Sequence, residues 1–117
     1  MKEYTEKQLK KDLGARVKAY RELNNYSQEQ FAELLNTSPS AISALERGIS
    51  FPIPSKLAAL INLLNITPSD LFSFSNRKRT NKTEKFILGI SEKMRKELSD
   101  EQIEILFNIV EQFTISK

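Results

Sequence analysis

Apolar residues in the N-terminal half of the chain recur at spacings of three and four, which is the period of an amphipathic helix. The first stripe follows a charged tail and consists of Leu9, Leu13, Val17 and Tyr20. Thr5 and Gln8 stand ahead of this stripe at the spacing of a capping box, and Tyr4 can form a hydrophobic staple with Leu9. The pattern predicts a first helix that starts after Thr5 and extends to about Asn24.

The next segment predicts two short helices separated by a tight turn. Ser27 is a natural N-cap, and its helix should end at Asn36, because asparagine tolerates left-handed backbone angles. Ser38 can cap a second helix that has Pro39 at its first position, where a missing N–H costs nothing. Gly48 then ends this second helix.

The second of these helices has two distinct faces. Ile42 and Leu45, together with Ala41, are spaced so that they point toward a core. The opposite face is small and polar and consists of Ser40, Ser43, Ala44 and Arg47. Such a face can enter a DNA major groove while the preceding helix crosses the backbone. The pattern predicts a helix-turn-helix, and we take this helix as the site of function.

Two further helices are predicted before residue 73. Two prolines, Pro52 and Pro54, exclude a helix interior and favour a stiff connection after Gly48. A fourth helix should carry the stripe Leu57, Leu60, Ile61 and Leu64. Thr67 and Pro68 open a short fifth helix. The sequence therefore predicts an all-α, five-helix domain over residues 1–72.

The remaining residues predict a basic linker over 73–82 and a two-helix hairpin over 83–117. The linker contains Arg77, Lys78 and Arg79, which could follow a phosphate backbone or reach a minor groove. In the hairpin, Ser99 and Gln102 form a capping box between two apolar stripes. Those stripes consist of Ile87, Ile90, Met94, Leu98, Ile103, Leu106, Phe107, Val110 and Phe113.

Two helices are too small to bury these apolar stripes against each other. Three surfaces could cover them: the helix-turn-helix domain of the same chain, the same hairpin of a second chain, or a different protein. We favour self-association and take the nine residues of the stripes as the dimer interface.

Composition narrows the possible functions. The chain has 117 residues with 39% apolar and 28% charged residues, as in an ordinary globular protein. It has no cysteine and no histidine, so we expect no disulfide, metal site, cofactor or histidine-based catalysis. No apolar run is as long as a membrane span, and the N-terminus is charged, so we expect a cytoplasmic protein. Net charge is +3 over residues 1–24, −2 over 25–72, +5 over 73–98 and −3 over 99–117, so the positive charge flanks the motif.

The motif resembles the DNA-binding domain of lambda-repressor/Cro-type regulators, the xenobiotic-response-element class. The resemblance covers roughly residues 9 to 72. It is carried by Leu13, Gly14, Arg16, Val17, Arg21, Ser27, Gln28, Ala32, Ile42, Ser43, Leu45, Glu46, Arg47, Gly48, Leu57, Leu64, Leu71 and Phe72. The main departure is Asn36, where the family usually has glycine.

The resemblance implies roles for individual residues. Arg21 and Glu46 would form a structural salt bridge, and Gln28 would contact a phosphate. Base edges would be met at Ser40, Ser43 and Ala44, and Arg47 would contact the DNA backbone or a base. The full set expected at the DNA is Gln28, Pro39, Ser40, Ser43, Ala44, Arg47, Lys56, Arg77, Lys78 and Arg79. This set lacks the usual bidentate readers except Arg47, so specificity should also depend on half-site spacing and DNA shape.

These patterns favour a dimeric repressor that binds a palindromic operator in double-stranded DNA. In one alternative the chain still binds DNA, and its hairpin binds a protein antagonist or a toxin. Another is an interaction scaffold that binds no DNA, since fold alone does not fix function. An enzyme is the least favoured class.

Overall fold

The structure is a computed structural model that describes residues 3–74 and 81–115. Within these residues it contains seven helices and no strand, which confirms the all-α prediction. The helices are α1 (Glu6–Leu23), α2 (Gln28–Leu34), α3 (Pro39–Glu46), α4 (Pro54–Leu64), α5 (Pro68–Leu71), α6 (Asn81–Glu97) and α7 (Asp100–Ile115). The chain divides into two compact units, Met1–Thr80 and Asn81–Lys117.

Side-chain hydrogen bonds cap four of the five helices of the first unit at the predicted residues. The side chains of Thr5, Ser27 and Thr67 each accept a hydrogen bond from a backbone N–H three residues later, and each forms a complete capping box. Ser38 accepts from the N–H of Ala41. Proline occupies the first position of α4, so this helix starts three residues before the Leu57 that begins its stripe.

Left-handed residues follow the first four helices. Asn36 has a φ of 54° between α2 and α3, and Gly48 has a φ of 76° after α3. Asn25 and Asn65 take the same conformation after α1 and α4. These turns allow five helices to fold within about 70 residues, because each one reverses the chain without a long loop.

The core of the first unit lies between α1 and the four helices that follow it. Its fully buried side chains are Tyr20, Phe31, Leu13, Leu60, Leu64, Leu71 and Val17. Gly14 allows α1 to approach α3 closely, since a Cβ atom there would lie 2.3 Å from the carbonyl oxygen of Leu45 and 2.8 Å from that of Glu46. The middle of α1 therefore packs directly on the end of α3 and fixes this helix in place.

The second unit consists of α6 and α7, joined through Leu98 and Ser99. Ser99 and Gln102 form the predicted capping box, with hydrogen bonds of 2.9 and 3.2 Å. Leu88, which was not part of the predicted stripe, is buried, as is Glu92 one turn later. Most of the apolar side chains on α7 are exposed.

Candidate DNA interface

An ion pair joins the first helix to the last residue of α3. Arg21 Nε lies 2.6 Å from Glu46 Oε2, and a second guanidinium nitrogen donates to Glu46 Oε1 at 3.1 Å. The third guanidinium nitrogen donates to the carbonyl of Tyr26 at 2.7 Å, just before α2. Both side chains are more than nine-tenths buried. The hydrogen bond to Glu46 raises the pKa of Arg21, so its guanidinium stays charged.

Gln28, the first residue of α2, completes this group. Its side-chain nitrogen donates to Glu46 Oε1 at 3.0 Å. Side chains from α1 and α2 therefore meet on one carboxylate at the end of α3, which fixes the orientation of the two motif helices. The family resemblance implies a phosphate contact for Gln28. The bond to Glu46 was not predicted, since eighteen residues separate the two partners.

The outer face of α3 remains accessible while its inner face is held. Ile42, Leu45 and Glu46 are buried. On the opposite side Ser40 and Arg47 are exposed, and Ser43 and Ala44 are half-buried. The Nε of Arg47 donates to the carbonyl and to the hydroxyl of Ser43, at 3.3 and 3.2 Å.

Ala41 does not follow the inward assignment, because it is exposed. The helix has only eight residues, and its inward stripe is formed by Ile42, Leu45 and Glu46 at the i, i+3 and i+4 positions. Ala41 lies one residue before this stripe, at the edge of the buried face. The exposed surface of α3 is therefore wider than predicted, because it includes Ala41.

Two cations outside α3 bind backbone carbonyls. Lys56 Nζ donates to the carbonyls of Leu35 and Asn36, at 3.1 and 3.2 Å, so it satisfies acceptors at the end of α2. Arg16 donates twice to the carbonyl of Asp70, at 3.1 and 3.0 Å, and its guanidinium lies 5.5 Å from the centre of the Tyr20 ring. Lys56 belongs to the predicted DNA-binding set, whereas the bond that Arg16 makes to α5 was not predicted.

The other predicted contact residues are placed as follows. Pro39 is exposed at the first position of α3. Arg77, Lys78 and Arg79 lie outside the described residues. Of the predicted dimer residues, Met94, Leu98, Ile103 and Leu106 are half-buried, and the other five are exposed. In the part of the chain that the structure describes, no helix is long and apolar enough to cross a membrane.

Helix α3 follows α2 after a tight turn, and its inner side is held while its outer side is exposed, which is the arrangement of a helix-turn-helix motif. Residues 17–71 match the family model described as helix-turn-helix. The chain is 36% identical over 58 residues to YazB of Bacillus subtilis strain 168, an uncharacterized HTH-type transcriptional regulator; the match covers 50% of this chain and 84% of YazB.

Two further relatives extend the likeness. The HTH-type transcriptional regulator ImmR of Bacillus subtilis strain 168 is 31% identical over 96 residues, which cover 82% of this chain and 75% of ImmR. A crystal structure of the clp gene regulator ClgR from C. glutamicum aligns with a TM-score of 0.52 at 28% identity, over 54% of this chain and 81% of ClgR. A second ClgR structure, at 22% identity and a TM-score of 0.55, covers 79% of this chain and 92% of ClgR and shows the same fold.

The chain belongs to the lambda-repressor/Cro-type family of helix-turn-helix regulators, as its resemblance at the sequence level implied. It is a DNA-binding transcriptional regulator.

Proposed function

We propose that this regulator is a dimeric repressor that reads a palindromic operator by inserting α3 into the major groove. The observation that carries the proposal is the contrast between the two faces of α3. Its inner face is anchored by Gly14 and by the Arg21–Glu46 pair, while its outer face is accessible. A rigidly held helix with small outer side chains can approach base edges closely, which direct readout requires.

Ser40, Ser43, Ala44 and Arg47 are the residues that we assign to base edges. The guanidinium of Arg47 is exposed and bound only to groups of its own helix in the hydrogen bonds described above, so it can turn toward a guanine. A serine hydroxyl can bond several base edges, and Ala44 can contact a thymine methyl group. Since these contacts discriminate weakly, we infer that half-site spacing and DNA shape contribute to specificity.

Gln28 can hold a phosphate without leaving Glu46. A side-chain amide has two N–H donors, and the bond to Glu46 uses one of them. The second N–H can donate to a phosphate oxygen, in which case Glu46 orients the phosphate contact. We assign Pro39 to packing against the DNA backbone and Lys56 to a phosphate contact, and Arg77, Lys78 and Arg79 to contacts that add affinity without sequence information.

A dimer can repress transcription by occupying its operator, without any further activity of the chain. We place the protein in the cytoplasm, where its DNA is, and propose no enzymatic activity or cofactor for it.

The exposed apolar side chains of α6 and α7 support a dimer through the C-terminal unit. They also keep a second possibility open, in which a protein antagonist or a toxin docks on the same surface.

The proposal is tested by selection from a pool of random DNA duplexes at near-physiological salt. The unaltered chain should enrich a palindrome whose half-sites lie about one helical turn apart. The variant Ser43→Ala/Ala44→Gln should keep its fold and enrich a different half-site, because both changes lie on the reading face. The control Ser69→Ala/Ala15→Gln makes the same exchanges at exposed positions of α5 and α1 and should enrich the original motif. An unaltered motif in the α3 variant would reject this face as the reader.

A further inference from the structure

The C-terminal unit exposes an apolar surface that is large for its size. On α6 it consists of Phe86, Ile87 and Ile90, and on α7 of Ile105, Phe107, Ile109, Val110 and Phe113. The three phenylalanines are 59%, 58% and 77% exposed. They alone expose roughly 400 Å², taking a whole phenylalanine side chain as about 200 Å². This is about half of the roughly 800 Å² that each partner buries in a stable interface.

Opposite charges border the apolar surfaces of the two helices. Along α6, Lys82, Lys85, Lys93 and Lys96 are spaced by three, eight and three residues and form one side of the helix, which we call the basic ridge. Along α7, Asp100, Glu104 and Glu111 are spaced by four and seven residues and form the acidic ridge. Lys82 stands one turn before Phe86, and its ammonium lies 5.8 Å from the centre of that ring.

The charge imbalance persists after the ion pairs within α6 are taken into account. Glu92 accepts from Arg95 and Lys96 at 3.0 and 3.1 Å, and Lys93 Nζ lies 3.8 Å from Glu97 Oε2, so these two carboxylates are paired within their own helix. The helix carries five cations and three anions, whereas α7 carries four anions and no cation. Each helix therefore offers an apolar surface with an edge of one charge sign, and the two signs are complementary.

We propose that a second copy of this chain covers these surfaces, with α6 of one copy packed against α7 of the other. The proposal rests on the dimer of the proposed function and adds the pairing rule. In a two-fold symmetric dimer the contact occurs twice, so each basic ridge faces the acidic ridge of the other copy. A second copy fits both ridges at once, because it carries the complementary charge along the complementary helix.

The pairing rule predicts an exchange between two charge-reversed variants of the full-length chain. Lys82→Glu/Lys85→Glu/Lys93→Glu gives the basic ridge a net negative charge, so that both ridges are acidic. Glu104→Lys/Glu111→Lys gives the acidic ridge a net positive charge, so that both ridges are basic. Each variant alone should dimerise at least tenfold more weakly than the unaltered chain, because ridges of like charge then face each other. An equimolar mixture should restore the dimer, since every ridge again meets its opposite. Sedimentation velocity of each variant and of the mixture measures the three association constants.

Two matched controls separate the pairing from general charge effects. Lys7→Glu/Lys11→Glu/Lys18→Glu and Glu29→Lys/Glu33→Lys reverse the same numbers of exposed charges on α1 and α2 and should leave dimerisation unchanged. Circular dichroism and thermal unfolding establish that every variant is folded.

A mixture that stays as weak as its components would show that the ridges do not pair between copies. Undiminished dimers in the separate variants would overturn the proposal equally. If the unaltered chain is monomeric, a second copy does not cover the apolar surfaces, and a different protein must be sought as the partner. These failures differ from failure of DNA reading, since the change of enriched half-site in the Ser43→Ala/Ala44→Gln variant tests α3 whether or not the chain dimerises.

Discussion

At the scale of single residues, Glu46 is the point where the two motif helices and α1 are joined. Its carboxylate accepts from Arg21 and from Gln28, and Arg21 also satisfies the carbonyl of Tyr26. No buried side-chain nitrogen or oxygen lacks a partner in the portion of the chain that the structure describes. A buried pair that is fully satisfied adds little net stability, because desolvation offsets its attraction. Losing one member is costly, because the other charge then remains buried without its counterion.

We therefore expect Arg21→Ala to lower the free energy of unfolding by about 3 kcal/mol. Urea denaturation followed by circular dichroism measures the change. Arg47→Ala removes an exposed arginine and should change stability by less than about 0.5 kcal/mol. The double variant Arg21→Met/Glu46→Leu should recover much of the loss, since it removes both charges. An unchanged unfolding midpoint in Arg21→Ala would show that the pair does not hold the helices.

At the scale of elements, the turn between α2 and α3 depends on the conformation of one residue. Asn36 has a φ of 54°, in the left-handed region that asparagine and glycine tolerate and that alanine disfavours. This is the position where the family usually has glycine, so the departure in sequence retains the required backbone.

Substitutions at Asn36 should separate conformational tolerance from side-chain chemistry. Asn36→Gly should keep the stability within about 0.5 kcal/mol, whereas Asn36→Ala should lower it by roughly 1 to 2 kcal/mol. Asn62→Ala replaces an exposed asparagine within the helical part of α4 and should be neutral or slightly stabilising. Denaturant midpoints of the three variants provide the comparison. Equal losses for glycine and alanine would mean that the Asn36 side chain matters, and not its backbone angle.

The same elements show which features of the fold the sequence could predict. Caps such as that of Ser27 depend on residues three positions away, so the local sequence contains them, and the helix ends follow. The bonds from Gln28 to Glu46, from Lys56 to Leu35 and from Arg16 to Asp70 span 18, 21 and 54 residues. No local pattern encodes these contacts, because they exist only once the helices have packed.

The contact of Gly14 with α3 illustrates this limit. The family resemblance includes a glycine at this position, but the sequence does not say what its missing side chain makes room for. The structure shows two backbone carbonyls within 3 Å of where a Cβ atom would lie. Only the packed arrangement of α1 and α3 explains the residue. For the outer face of α3, in contrast, helical periodicity is sufficient to group Ser40, Ser43 and Arg47 on one side of the helix.

At the scale of the whole molecule, the excess positive charge lies in sequence segments other than the one that contains the surface we assign to base reading. The +5 segment over residues 73–98 follows the helix-turn-helix, whose own segment over residues 25–72 is at −2. Arg47 is the one cation on the outer face of α3. If the flanking cations contact phosphates, affinity and specificity should depend on different residues and should be separable by mutation.

Neutralising Arg77, Lys78 and Arg79 to glutamine should weaken binding to operator and to unrelated duplex by similar factors. The slope of log K against log salt should become shallower by about 0.9 for each phosphate contact that is lost, and so by up to roughly 2.7. Arg47→Gln should change the slope by no more than about 0.9 while lowering the preference for operator over unrelated DNA, because a base contact is lost. Fluorescence anisotropy titrations with both duplexes at several salt concentrations give the slopes and the preference together. An unchanged slope in the triple variant would leave these cations as part of a solvated linker, and the phosphate contacts would have to come from the helix-turn-helix itself.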